Sequence, residues 1–495
     1  MPIRAIWRPL WWMWALLGLA TLVALYRISP DRLHGYGAVI TPVAVVVCLL
    51  VLRRLWELPP ATTMCAGLAL TIFSGAWHQI GLGGLPFDRL LIVFVLLQYI
   101  FRAPGVAHVP PLRVRNVHLL MCVTALYVLG SAEVAGTLTQ EASALSLIDE
   151  LGLVPFVIFL LAPSVFSGQR ERNMLLATLV GLGAYLGLTA IFESLGPHAL
   201  VVPKYILNVD TELPGERAGG PFQSSVAEGF ATYACAIAAA IAFMQWHGQR
   251  KRYFAGFVAA VCLSGCFLTL ERGVWLGVVV SAVLTAAMTR TGRRWMIPAA
   301  VTCAIVLGGA LVFSSTLAHK ASTRVNDQRS IWDRENQTAA GLRMTQVKPL
   351  FGFGWDRYTS NSLEYFRQAE GYPLIGYSLS TYSGPGKTLP LHDTYLAYVV
   401  ELGLVGTVLW FATLLWGVGE AVFGGVGATA SDLRLWKLGL MAISICFLLI
   451  GLVNPDQAPF PVLLLWTWAG VAVGPAREGA RRPLRTTGAI RSAPA

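Results

Sequence analysis

Apolar stretches of about 17–25 residues recur from residue 10 to residue 474, each the length a helix needs to cross the hydrocarbon of a bilayer. The expected spans are 10–28, 35–52, 62–80, 86–101, 116–132, 147–165, 173–192, 226–246, 253–270, 273–289, 295–315, 391–417, 435–453 and 459–474. Composition agrees: 55% of residues are hydrophobic and 13% charged, where soluble domains carry roughly 25% charged residues. The first run, WWMWALLGLATLVALY (11–26), is Trp-rich and has no small-residue cleavage site after it, so it reads as a retained span and not a signal peptide. The expected fold is all-α: a polytopic membrane bundle of about 12–14 helices, with one long loop (316–390) that contains helices of its own.

Lys and Arg decide the orientation of such a bundle, because cytoplasmic loops carry the positive excess. With the N-terminus inside and the spans alternating, the inner segments collect 22 basic residues against five acidic ones. The net charge of +11 then divides into +17 inside and −6 outside. Both termini are expected in the cytoplasm, and the long loop outside. The basicity reflects topology and anionic inner-leaflet lipid, and it gives no reason to expect a nucleic acid partner. All eight cysteines lie in apolar runs, without metal-ligand spacing or a disulfide framework. The Ala-rich AIAAAIA (236–242) reads as helix packing, and no internal repeat of the transporter kind is evident. The tail 475–495 reads as a basic, solvated end.

Charge is costly in a bilayer, so ionisable residues between apolar runs are functional candidates. Glu271 and Arg272 interrupt LSGCFLTLERGVWLGVVVSAV (263–283). They make either a tight external turn closed by an ion pair, or an arginine held at the surface to receive an anion. Arginine suits phosphate because its planar fork donates two parallel hydrogen bonds and stays charged. Arg217, among the glycines and prolines of 202–225, is either loop surface or part of an anion-binding turn.

Within the long loop, RSIWDRENQTAAGLRMTQV (329–347) reads as an amphipathic helix that stops before Pro349, with Arg343 in its last turns, where a cation favours the helix dipole. Next comes KPLFGFGWDRY (348–358), in which Gly352 and Gly354 let the backbone approach a helix end or a ligand closely. Lys348, Gly352 and Gly354 join Arg217 as candidate substrate-binding residues. Tyr358, Tyr365, Phe366, Tyr372, Tyr377 and Tyr382 suit stacking on sugar rings or resting on headgroups equally well. His392 stands at the threshold of the span 391–417. It and Asp393 either cap that helix, or the largely neutral imidazole accepts a proton from a hydroxyl.

Four blocks together resemble the O-antigen ligase/polymerase family of bacterial envelope enzymes. They are Gly-Pro-Phe at 220–222, Arg-Gly-x-Trp-Leu at 272–276, PLFGFGW at 349–355 and HDTYLAYVVELGLVG at 392–406. The resemblance covers roughly residues 215–418, and its last two blocks are the most specific. It implies a glycosyltransferase that uses an undecaprenyl-diphosphate-linked glycan at the periplasmic face of the inner membrane. The acceptor is lipid A–core for a ligase, or a second lipid-linked glycan for a polymerase of surface or exopolysaccharide. Carried over, the catalytic residues fall on His392, Arg272 and Arg343, with Arg217 a weaker fourth in holding the diphosphate. No metal or cofactor is implied, because arginines neutralise the leaving group. Two positions depart from the family pattern: Glu271 stands where a small hydroxyl residue is common, and QSSVAEG (223–229) lacks the usual Pro-Asn.

The expected organisation is N-terminal transmembrane helices to 200, a ligase-like core over 201–418, C-terminal helices over 419–474 and the tail. The rival function is a non-enzymatic flippase or transporter of the same lipid-linked glycans. It needs polar residues along a path through the bundle, and His78, Glu133, Asp149 and Glu150 of the first seven spans all lie near outer ends.

Overall fold

The alternation of apolar runs with short polar links becomes helix after helix. A computed structural model of the chain describes residues 50, 53–74, 76–77, 87–102, 112, 114–207, 217–290, 293–294, 322, 329–366, 391–424, 431–454 and 458–474. No strand occurs among them. The longer helices are α1 (Pro60–Leu70), α2 (Phe87–Arg102), α3 (Asn116–Ala135), α4 (Leu153–Val165), α5 (Gln169–Leu195) and α6 (Ser225–Gln245). They continue with α7 (Gln249–Leu268), α8 (Arg272–Ala287), α9 (Arg329–Val347), α10 (Thr394–Phe423), α11 (Ser431–Gly451) and α12 (Pro459–Val473). Before α4 a short helix, Glu141–Ser146, runs into a π turn over Leu147–Leu151.

Seven helices among the described residues are long and apolar enough to cross a membrane, and the segments Pro60–Phe73, Arg272–Ala287 and Pro459–Val473 are apolar but shorter. With α2 these stand at eleven of the expected spans. The other three, 10–28, 35–52 and 295–315, lie outside the described residues except for Leu50, as do Cys48, Cys303, His78 and the tail.

The centre of the bundle is a three-way contact of α5, α6 and α7. Small residues make it possible, since lipid tails are as apolar as any side chain and helices in a bilayer associate by close packing. Gly187 on α5 faces the α7 backbone, and a β-carbon there would come within 2.8 Å of the Val261 carbonyl oxygen. Ala231, Ala234, Ala238, Ala239 and Ala242 line the buried length of α6. Cys235, Cys262 and Cys266 are buried as packing residues in the same region.

Around this centre, α8 lies on α11, α12 on α4, and α10 on α3. Asp149, read from sequence as a residue near an outer end, is buried and paired with Arg89 of α2.

The run 391–417 reads as one continuous span, but the helix there is broken. At Gly403 the backbone turns to φ +69°, ψ −177°, outside helical values. The break leaves the carbonyls of Val400 and Glu401 without the amides of Leu404 and Val405, their normal helical partners. A backbone group buried in lipid must find another partner, and the Gly-rich turn after α9 supplies all four. Phe353 N donates to Val400 O at 2.8 Å, and Gly354 N to Glu401 O at 2.8 Å. Leu404 N donates to Pro349 O at 2.9 Å, and Val405 N to Leu350 O at 3.2 Å. Side chains would block this docking: a β-carbon on Gly403 would fall onto the Leu350 carbonyl, and one on Gly352 onto the Glu401 carbonyl.

The far side of the turn is fastened to the end of α3. Arg357 Nε donates to the last carbonyl of that helix, Ala135 O, at 3.0 Å, where a cation also meets the negative end of the dipole. Buried Trp355 donates from Nε1 to Ser143 O at 3.0 Å, and Thr137 Oγ1 donates to Trp355 O at 3.1 Å. The turn is thereby clamped between α3 and α10, and it fixes where α9 can lie.

Candidate functional site

α9 forms over the residues its pattern predicts, and its inward stripe is unusual in what it carries. Gln337, Ala340, Gly341 and Met344 are buried along it, spaced as neighbours on one helix face. Met344 packs with Tyr358, Leu391 and Val400. Arg334 lies one turn before Gln337. The helix therefore presents a guanidinium and a carboxamide to the bundle from an otherwise apolar stripe.

Arg334 reaches Glu271, the N-cap residue of α8, at 3.5 Å and donates to Asn454 Oδ1 at 3.2 Å. Arg217 meets the other oxygen of Glu271 at 3.2 Å. The Glu271 side chain is only 3% exposed, and a carboxylate that buried is stable only when paired. The acid at the Glu271–Arg272 junction is thus committed to two distant arginines, 54 residues before it and 63 after it. Arg272 opens α8 and is half-buried. A cation at the first position of a helix is opposed by the dipole, by about 0.3–1 kcal/mol at a surface site, which a nearby anion offsets.

Asp393, not His392, caps α10: its Oδ1 accepts from the amides of Tyr395 at 3.0 Å and Leu396 at 3.1 Å. Burial raises the Asp393 carboxyl above its ordinary range, against the opposing pull of those two amides. The half-buried His392 is left to α9. Its Nδ1 lies 2.6 Å from Gln337 Oε1, and its backbone amide 3.3 Å from the same oxygen. Thr394 Oγ1 donates to Asn454 O at 2.8 Å, which joins the start of α10 to the asparagine that receives Arg334.

Arg343 is six residues beyond Gln337, roughly 9 Å along the helix axis; its guanidinium donates to Tyr365 O at 3.0 Å. Lys348 follows α9, exposed, with its ammonium 4.7 Å from the centre of the Phe353 ring. Gly352 and Gly354 spend their close approach on neighbouring helices, the first at the break in α10 and the second against Ala135 of α3. Tyr372, Tyr377 and Tyr382 lie outside the described residues.

A small, largely apolar pocket of about 20 Å³ lies beside this polar cluster, between α6, α10, α11 and α12. Phe230, Tyr395, Trp410 and Phe447 wall it, and Thr394 and Asn454 form part of its polar edge. The contacts draw Glu271 and His392 onto successive turns of α9, with Arg217 joined to them through Glu271 and Arg272 next to Glu271 in the chain. Arg334 and Gln337 were not among the sequence candidates. The available signal was their spacing, which places both on the stripe of Ala340, Gly341 and Met344.

Residues 257–411 match the family model described as O-antigen ligase. The matched stretch runs from within α7 through α8 and α9 into α10. The match contains Arg272, Arg343, Lys348, Gly352, Gly354 and His392, with Arg217 before it. No curated protein matches the chain. The match ties the chain to glycan transfer in general, and the apolar helices tie it to a multi-pass membrane protein.

Proposed function

We propose that this protein transfers a glycan from an undecaprenyl-diphosphate carrier to an acceptor sugar hydroxyl at the periplasmic face of the bacterial inner membrane. His392 takes the proton of the acceptor hydroxyl as that oxygen attacks the anomeric carbon. The bond from that carbon to the diphosphate oxygen breaks, and the electron pair leaves on the diphosphate. Arg272 and Arg343 hold the leaving group, with Arg217 as a further ligand. Preorganised guanidinium donors are worth most in such a step, where charge develops away from bulk water. The acceptor is either lipid A–core or a second lipid-linked glycan.

The observation that carries this reading is the gathering of an imidazole and several guanidiniums around one helix, at the threshold of the span that α10 forms. The test is purified protein supplied with lipid-linked oligosaccharide and acceptor. The native chain is expected to lengthen or transfer the glycan. Arg272→Ala, Arg343→Ala and His392→Ala are each expected to lower turnover, by about 10²–10⁴-fold for the histidine, while still reaching the membrane. Unaltered glycan from the native chain, with lipid moved across vesicles, would establish the flippase instead.

A further inference from the structure

We infer that Gln337 is a positioning residue that fixes the tautomer of His392, so that Nε2 carries the lone pair used on the acceptor hydroxyl. The inference rests on the proposed role of His392 as the base.

Two contacts to one atom decide the matter. Gln337 Oε1 faces both the backbone amide of His392, at 3.3 Å, and Nδ1 of its ring, at 2.6 Å. The oxygen and nitrogen of a carboxamide are ordinarily hard to tell apart. Here the backbone N–H, which can only donate, requires that the atom in front of it be the oxygen. A carboxamide oxygen can only accept, so Nδ1 must bring the proton. A neutral imidazole holds one N–H, and the lone pair therefore belongs to Nε2.

The carboxamide is itself well anchored. Gln337 is 0% exposed, on a helix whose neighbouring turn is tied down through Arg334. Its main-chain carbonyl accepts the Tyr358 hydroxyl at 3.3 Å, and the Tyr358 amide donates to Glu401 in the broken part of α10 at 3.1 Å. Both partners of the His392–Gln337 contact thus lean on α10.

An uncharged partner at Nδ1 has a chemical consequence. A carboxylate there would fix the same tautomer but would also stabilise the imidazolium and raise the histidine's pKa. Glutamine orients the ring without that charge, so the base stays neutral to lower pH. The other charged groups on the elements that meet His392, and on the helix start those elements touch, are Arg334, Glu335 and Arg343 on α9, Asp393 beside it, Glu401 on α10, and Glu271 with Arg272 at the start of α8. Among these, Glu271 is engaged by arginines, Asp393 by amides of its own helix and Glu401 by the Tyr358 amide.

The test compares full-length Gln337→Met, Gln337→Glu and His392→Ala with the native chain in reconstituted membranes. Turnover is measured against donor concentration and across pH. Gln337→Met keeps the volume but loses the acceptor; it should lower kcat about tenfold or more and leave the KM for lipid-linked donor within about twofold. Gln337→Glu should retain substantial turnover, with the acid limb of its kcat–pH profile moved upward by about one pH unit. An unmoved limb in Gln337→Glu, or native kcat in Gln337→Met, overturns the inference. Should the methionine variant not fold, the limb of the glutamate variant decides. Native turnover in His392→Ala would instead overturn the reading of His392 as the base.

Discussion

Between α5 and α7, Gly187 and Gly265 lack side chains so that two unbroken helices can touch. At α10, Gly403 lacks one so that a helix can open and admit a loop. The first arrangement is built mainly of alanine, cysteine and glycine and lets α5, α6 and α7 pack closely. The second brings the backbone of a Gly-rich turn into contact with backbone that would otherwise face lipid. The difference shows how one bundle can be rigid and still hold charge. Its glycine contacts bring helix backbone against helix backbone, and its broken helix anchors the turn that positions α9, the helix that carries Arg334 and meets the histidine.

Substitutions to alanine at the two kinds of glycine should separate these roles. Gly403→Ala places a β-carbon in left-handed backbone and against the Leu350 carbonyl, and is expected to cost about 3 kcal/mol. Glycan transfer should fall with it, because the turn and α9 lose their seat. Thermal unfolding and turnover of the purified variant measure both, and native values for both would break the proposed link between the helix opening and the site. Gly187→Ala is expected to cost about 1–3 kcal/mol by overpacking, with turnover retained at a temperature where the protein stays folded. A loss of turnover without loss of stability at Gly187 would show that the two regions are not separable.

The smallest effect is expected at Lys348. An exposed cation over an aromatic ring contributes about 0.5–1 kcal/mol, so Lys348→Ala should barely move the unfolding temperature. A raised KM for the lipid-linked donor would place this ammonium at the diphosphate as well. An unchanged KM would confine it to the Phe353 ring.

Much of this architecture could be read before any coordinates. α9 was legible to the residue because its apolar stripe is periodic and Pro349 stops it. The start of α8 was legible because Glu271 and Arg272 interrupt two apolar runs. The break in α10 was not, since Gly403 sits in an uninterrupted hydrophobic stretch and hydropathy carries no information about φ. The partners of Glu271 were equally hidden: opposite charges invite pairing with the adjacent Arg272, and only the folded chain brings Arg217 and Arg334 to it. Gln337 gave no sign of its own, because an uncharged amide on a helix face has the same local pattern whether it meets water or a histidine.

The hydrogen bonds at the broken helix also bear on how the protein is made. The turn over 349–354 precedes α10 in the chain, so it leaves the ribosome before the segment it must receive. Broken at Gly403 and without that turn, α10 would carry two carbonyls and two amides without partners, roughly 14 Å along the helix from its start. The opening of α10 and the seating of the earlier turn therefore go together, each supplying the hydrogen-bond partners that the other needs.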